Sequence, residues 1–266
     1  MEARCMKVTA IIQARMGSSR LPGKVLMDIA GKPMLEHIVE RLKKCQRLDE
    51  IIIATTNLPE DKILLKFANE RGYKISTGSA YDVLSRYLKV AHEAETDYIV
   101  RICADCPLID PEVVDKIIKK HLNSENVDYT SNCIKRTFPL GLDAEIFSTE
   151  VLEKEERLAK EAYCREHVTI FIREHPEIFS LQNFEARGIL RMPSLRLTVD
   201  TPEDMRLIRV IYSELYDGIN IVDIKKVIRL FKLRPELRDI NIHIKQKSER
   251  EVDERYFRKQ SDGCII

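Results

Sequence analysis

The chain has 266 residues, 44% of them hydrophobic and 33% charged, with a formal net charge of +1. That length buries a sizeable core, and that composition is a globular one, which excludes an intrinsically disordered chain. The near-zero charge excludes a global field for nucleic acid or an anionic membrane, so any phosphate binding must come from a local cluster.

In chain order, Lys7–Ala14 (KVTAIIQA) reads as a buried strand, and Met34–Cys45 follows with Met34, Leu35, Ile38, Val39, Leu42 and Cys45 on one helical face. Glu50–Thr55 reads as a second buried strand. Pro59–Arg71 reads as a helix with Ile63, Leu64 and Phe67 inward and Gly72 closing it. Tyr73–Ser76 is a short strand, and Asp82 opens a helix that buries Val83, Leu84, Tyr87, Leu88 and Ala91. Tyr98–Cys103 is the next strand. Asp110 then caps a helix with Pro111 at its first position and Val114, Ile117, Ile118 and Leu122 on its apolar face.

Such alternation of apolar strands and helices predicts an α/β, doubly wound, mostly parallel sheet with a Rossmann-like arrangement and ligands off the carboxyl ends of the strands. In the second half, Leu142–Phe147, Ile178–Asn183 and Leu195–Val199 read as strands, and Ser148–Lys160 and Tyr163–Glu174 as helices. Thr201-Pro202-Glu203-Asp204 caps a helix to about Tyr216. The expected organisation is one domain over residues 1–244, an acceptor or dimerisation region inserted at about 134–195, and a solvated charged tail over 245–266.

No apolar run approaches the roughly 20 residues that span a bilayer. Met1–Lys7 lacks the apolar core of a signal peptide, and Cys264-Ile265-Ile266 is one residue short of a prenylation box. A cytoplasmic protein with reduced thiols is the expectation, the spacing of Cys103 and Cys106 leaving a redox pair or half a zinc site as the alternative.

Past the first strand comes Gln13-Ala14-Arg15-Met16-Gly17-Ser18-Ser19-Arg20-Leu21-Pro22-Gly23-Lys24. Glycines let backbone approach a ligand and bare N–H groups form an anion nest, while Arg15, Arg20 and Lys24 can neutralise a triphosphate. The stretch is not a Walker A loop, because Gly17 is one residue too far from Gly23-Lys24 and Val25 replaces the Ser/Thr. Two acids follow strands: Asp105 in Ala104-Asp105-Cys106-Pro107-Leu108-Ile109-Asp110, and Asp200 in Thr198-Val199-Asp200-Thr201-Pro202-Glu203-Asp204. If those strand ends share a rim, the two carboxylates can hold one Mg²⁺ against nucleotide phosphates. A turn role for Asp105 and a helix-start role for Asp200 are the plainer alternatives.

These three stretches, with Gly78-Ser79-x-x-Asp82-Val83-Leu84-Ser85-Arg86-Tyr87 and Arg165-Glu166-His167-Val168-Thr169, resemble cytidylyltransferases of the spore-coat-polysaccharide type. More distantly they are similar to the synthetases that make CMP-Kdo and CMP-sialic acid. The resemblance runs from about Lys7 to about Tyr216 and implies transfer of CMP from CTP to a small polar acceptor, with Mg²⁺ as cofactor. It implies Ala14, Arg15, Gly17, Ser18, Arg20 and Lys24 in the nucleotide-binding loop and Asp105 and Asp200 as metal ligands. Thr55, Gly78, Ser79, Asp82 and Cys103 complete the expected nucleotide site, and Arg15, Lys24, Asp105 and Asp200 the catalytic set. Cys103 stands where distant relatives carry glutamine, and Ala104 where this group has glycine.

For the acceptor, Glu145 in Gly141-Leu142-Asp143-Ala144-Glu145, together with Arg165 and His167, are the polar candidates amid apolar neighbours. Glu166 and His167 are adjacent on a helix and point apart, so they form no dyad, and a structural role for His167 stays open. A homodimer through the region after Ile134 is a further expectation, with neither nucleic acid nor membrane as partner. A metal-dependent glycosyltransferase is the competing enzyme, although Asp105-Cys106-Pro107 lacks the second acid of D-x-D. A non-catalytic nucleotide-binding regulator is the competing class.

Overall fold

The apolar run after Met6 forms the central strand β1 (Val8–Gln13), flanked in parallel by β4 (Glu50–Thr56) and β6 (Tyr98–Cys103). The computed structural model describes residues 6–248 and residue 250. Outside β4 lies β5 (Lys74–Gly78), again parallel. On the other side β8 (Glu145–Ser148) runs antiparallel to β6, β7 (Tyr129–Ser131) antiparallel to β8, and β9 (Leu181–Asn183) parallel to β7. The seven-stranded order is β5-β4-β1-β6-β8-β7-β9. A short ribbon of β2 (Asp28–Ile29) and β3 (Lys32–Pro33) stands apart.

Successive side chains of a strand face opposite ways, and β1 shows the consequence. Ala10 and Ile12 pack toward one layer and Ile11 toward the other, all fully buried. The first layer holds α1 (Met34–Leu42), α2 (Lys62–Arg71), α4 (Pro111–Leu122), α8 (Pro202–Leu215) and α9 (Ile224–Leu233). The second holds α3 (Val83–Glu93), α5 (Thr149–Leu158), α6 (Ala162–His167) and α7 (Ile170–Glu174). Helices on both faces of a mostly parallel sheet are the doubly wound architecture the alternation predicts.

Helix starts follow their caps. The Asp82 side chain accepts from Ser85 N at 2.9 Å, Asp110 from Val113 N at 3.0 Å, and Ser148 from Val151 N at 3.1 Å. Thr201 and Asp204 form a reciprocal capping box at the start of α8.

Several expectations are corrected. Ile63 and Leu122 face solvent, because the buried stripes of their helices pass through Leu64 and Phe67 and through Ile117 and Ile118. Leu195–Val199 is not a strand of the sheet. Its backbone bonds to Leu140, both ways, and Val199 N donates to the Asp105 carbonyl. Gly141 permits this approach: its φ is +103°, and a Cβ there would lie 2.6 Å from the backbone nitrogen of Thr198. The expected helix Tyr163–Glu174 breaks into α6 and α7 at Val168, whose φ of 60° and ψ of −61° form a γ-turn closed by Thr169 N on the His167 carbonyl at 2.7 Å. β7 and α9 were not anticipated.

The described residues of the charged tail, 245–248 and 250, are all exposed, with contacts to the rest of the chain. The Gln246 side-chain amide oxygen accepts from Arg196 at 2.7 Å, Lys247 Nζ lies 3.4 Å from the Ser19 hydroxyl, and Arg250 pairs with Glu174 at 2.9 Å. The expectations for residues 1–5 and 251–266 lie outside the described residues.

Candidate active site at the carboxyl ends of the strands

The loop after β1 is built by its own backbone. The Met16 carbonyl accepts from Ser18 N at 2.9 Å and from Gly23 N at 2.8 Å, folding residues 16–23 into a closed turn. Gly23 takes the left-handed conformation this closure needs, with φ of 72°, and passes the chain into a 3-10 turn at Lys24–Leu26. From outside, the buried Asp61 carboxylate accepts the Met16 amide at 2.6 Å and the Thr56 hydroxyl. Asp61 escaped the sequence reading; its only signal was an acid in the turn Pro59–Asp61 after a strand end.

Asp105 follows β6 directly, and Asp200 ends the segment hung on the Asp105 carbonyl, so the two acids come together. Lys24 Nζ lies between them, donating to Asp105 Oδ2 at 3.1 Å, Asp200 Oδ1 at 2.9 Å and the Val199 carbonyl at 2.7 Å. Arg20 reaches Asp200 Oδ2 at 3.0 Å, and Arg196 reaches the same oxygen at 2.9 Å. Burial disfavours the charge on Lys24, but the Asp105 and Asp200 carboxylates outweigh it and raise the ammonium above its usual range. Burial likewise pushes Asp200 up, and Lys24, Arg20 and Arg196 together hold it below the usual carboxylate range.

Behind Asp200 stands a second acid that the sequence showed only as a helix cap. Asp204, fully buried, accepts from Arg196 Nε and Nη2, both at 2.8 Å, from Asp200 N at 2.9 Å, from Thr201 N at 3.1 Å and from Asn241 Nδ2 at 2.9 Å. One carboxylate thus starts α8, fixes the Asp200 backbone and orients the guanidinium that holds the Asp200 side chain.

The loop after β5 carries Gly78 and Ser79. The Ser79 hydroxyl accepts from Asp82 N at 3.0 Å, and Arg86, buried on α3, donates to the Ser79 carbonyl at 2.6 Å. Gly78 packs so closely on Arg86 that a Cβ would meet Arg86 Cγ at 2.8 Å. Arg165 donates to Asp82 and to Glu156, and Glu166 lies 3.7 Å from Arg15. The Arg165–Glu166 pair therefore joins α6 to both the Asp82 loop and the loop after β1. His167 is half-buried beside the Val168 turn, and Ala14 is buried at the end of β1 with its N–H on the Ala54 carbonyl at 3.1 Å. Gly17 and Ser18 lie half-buried within the loop, where the Ser18 hydroxyl accepts from Leu21 N at 3.3 Å.

Two expected site residues sit differently. Thr55 is fully buried in the sheet. Glu145 is buried against Arg101, the Tyr129 hydroxyl at 2.6 Å and Thr169, so it serves the core between β6 and β8. Cys103 is a thiol that burial pushes up to about 12. Asp143, within the expected acceptor stretch, takes a forked contact from Arg136 at 2.6 and 3.1 Å.

The donor set at Asp105 and Asp200 fits a divalent cation: two carboxylates and a carbonyl, all hard oxygens, already converge on one positive charge. Among the described residues no cluster of three or more His, Cys, Asp and Glu side chains is placed for a metal. No helix among the described residues is long and apolar enough to cross a membrane.

A family model described as cytidylyltransferase matches residues 9–248. An uncharacterized protein of Methanocaldococcus jannaschii is 41% identical over 252 residues, covering 94% of this chain and all of that one. The spore coat polysaccharide biosynthesis protein SpsF of Bacillus subtilis is 36% identical, over 77% of this chain and 85% of its own. Among solved structures, a cytidylyltransferase from Leptospira borgpetersenii superposes with a TM-score of 0.83 at 31% identity, covering 92% of this chain and 100% of that one. The family match reaches well past Asp204 and so takes in every element of the site described above, and this chain belongs to the cytidylyltransferase family, in its SpsF-like branch.

Proposed function

We propose that the protein transfers CMP from CTP to a small acidic acceptor, with Mg²⁺ held by Asp105 and Asp200 and pyrophosphate as the second product. The observation that carries this reading is the convergence of Asp105, Asp200 and Lys24 beside a closed glycine loop bearing Arg15 and Arg20. Such a centre favours nucleotidyl transfer over glycosyl transfer, as does the family match.

An acceptor oxygen attacks the α-phosphorus in line, the bond from that phosphorus to the bridging oxygen breaks, and pyrophosphate carries away the electron pair. Negative charge grows on the phosphoryl oxygens and the leaving group, and preorganised cations are the main means of stabilising it. Mg²⁺, when bound, supplies charge neutralisation on the phosphates. Arg15, Arg20 and Lys24 bind and orient the triphosphate beside the Met16–Gly23 turn. Arg196 and Asp204 hold Asp200 in place. The Gly78–Ser79 turn, fixed by Arg86 and by the Asp82 amide, borders the nucleoside. Arg165, His167 and the Arg136–Asp143 pair are the polar groups offered to the acceptor, and an acidic acceptor suits the guanidinium groups among them. An acidic acceptor already ionised at neutral pH needs no strong general base.

The test is pyrophosphate release by the purified protein with each of the four ribonucleoside triphosphates, Mg²⁺ and a panel of acidic acceptors. CTP-dependent turnover that falls by two or more orders of magnitude in Asp105→Asn and in Asp200→Asn is the expected result. Near-normal turnover in either folded variant overturns the reading.

A further inference from the structure

Lys24 occupies the place a divalent cation would need. An ammonium has three N–H bonds, and here three oxygens receive them, from Asp105, Asp200 and Val199. The second oxygen of Asp200 is taken by Arg20 and Arg196. Only 11% of the Lys24 side chain and 11% of that of Asp200 are exposed, so both charges depend on each other rather than on water. The acid pair is therefore satisfied before any ligand arrives.

A divalent cation can enter only if the ammonium leaves. Withdrawing Lys24 into a buried pocket without a new anionic partner is unfavourable, as stranding any buried ion is. The partner within reach is a polyphosphate on the loop that Lys24 itself ends. The lysine stem is flexible, and it springs from a short 3-10 turn behind Gly23. We infer that Lys24 is a stand-in cation that keeps free divalent metal out of the Asp105–Asp200 pair until a nucleoside triphosphate draws it away, so that metal and nucleotide bind with positive coupling. Linkage makes that coupling reciprocal: whatever the triphosphate adds to metal affinity, the metal adds to triphosphate affinity. The inference rests on the reading of Asp105 and Asp200 as the metal ligands, and on no other part of the proposed function.

The experiment counts free Mn²⁺ by electron spin resonance, without nucleotide, in wild type, Lys24→Met and Lys24→Met combined with Asp105→Asn. The expected result is that Lys24→Met binds Mn²⁺ at least about tenfold more tightly than wild type, about 1.4 kcal/mol, and that the added Asp105→Asn removes the gain. Should Lys24→Met not fold, Lys24→Gln, which keeps a polar head near the acids, serves instead. Equal Mn²⁺ affinity in wild type and the lysine variant, lost on adding Asp105→Asn, overturns the lock and leaves the acid pair as the metal site. Mn²⁺ binding by the lysine variant that ignores Asp105→Asn overturns the metal reading and the lock with it.

Discussion

Replacing Asp204 by asparagine keeps the shape of the side chain and removes its charge. In the native site five N–H groups point at this carboxylate: two from Arg196, the amides of Asp200 and Thr201, and the amide side chain of Asn241. An asparagine has one acceptor oxygen. If that oxygen serves the Asp200 and Thr201 amides and Arg196 Nη2, the new NH₂ group faces Arg196 Nε and Asn241, donor against donor. Breaking a buried ion pair from one side costs about 3–5 kcal/mol. Arg196 retains Asp200 and Gln246, which places the loss near the lower end, about 3 kcal/mol. In a domain of this size each kcal/mol moves the melting temperature by about 2–4 °C, so the variant should melt about 6–12 °C below wild type. Scanning calorimetry measures this directly. Asn241→Ala should cost less by itself and add little to Asp204→Asn, since one contact is removed in both. A melting point within about 2 °C of wild type would refute the assignment of Asp204 as the organising acid.

His121, buried with Nδ1 at 2.9 Å from the Thr130 hydroxyl, is held down to about 4 by burial. Its folded value lies below the unfolded one, so the unfolded chain takes up the proton first and stability falls as pH drops from about 6.5 to 4. Urea titrations at pH 7.5 and 5 should show about 2 kcal/mol from this group, and a His121→Gln variant that kept the full difference would sink the attribution. Gly141→Ala drives a Cβ into the backbone of Leu197 and Thr198, and a loss of at least about 1–3 kcal/mol is expected in the same titration; a neutral result would contradict the close approach. With burial pushing the Cys103 thiol up to about 12 and the Cys106 thiol well above its usual range, neither should react with a disulfide reagent at pH 8 until denaturant is added. Labelling of either in the folded protein at the rate of a free thiol would count against this.

The parallel half of the fold was legible because its signals are local. β1 and β6 are apolar runs bounded by polar turns, Asp82 and Asp110 announce their helices, and Gly72 closes α2 with φ of 66°. The second half failed where structure depends on distant partners. Leu195–Val199 has the composition of a strand, yet its backbone is spent on Leu140 and Asp105. β7 is three residues long, too short to show a period. Nothing in Val168 announces a break, since a β-branched residue is among the least suited to positive φ, where the strain costs about 1–3 kcal/mol. In the site, residues at strand ends could be read from their position after apolar runs. Asp61, Arg196 and Asn241 could not, because their meaning lies in contacts across 45 residues of chain, as from Asp61 to Met16 and from Asn241 to Arg196.

Gly78 and Arg86 constrain how this chain can drift. The room that glycine leaves is filled by the arginine stem, with Cγ, Cβ and Cα all within 3.3 Å of where a side chain would begin. The two positions therefore have a permitted order of change. A lineage that first shortens residue 86 removes the collision with Cγ at 2.8 Å and leaves only the tight contacts with Cβ and Cα for a later alanine at 78; one that starts at 78 must pass through that collision. Ancestry, and not only physics, then decides which sequences with this loop are reachable.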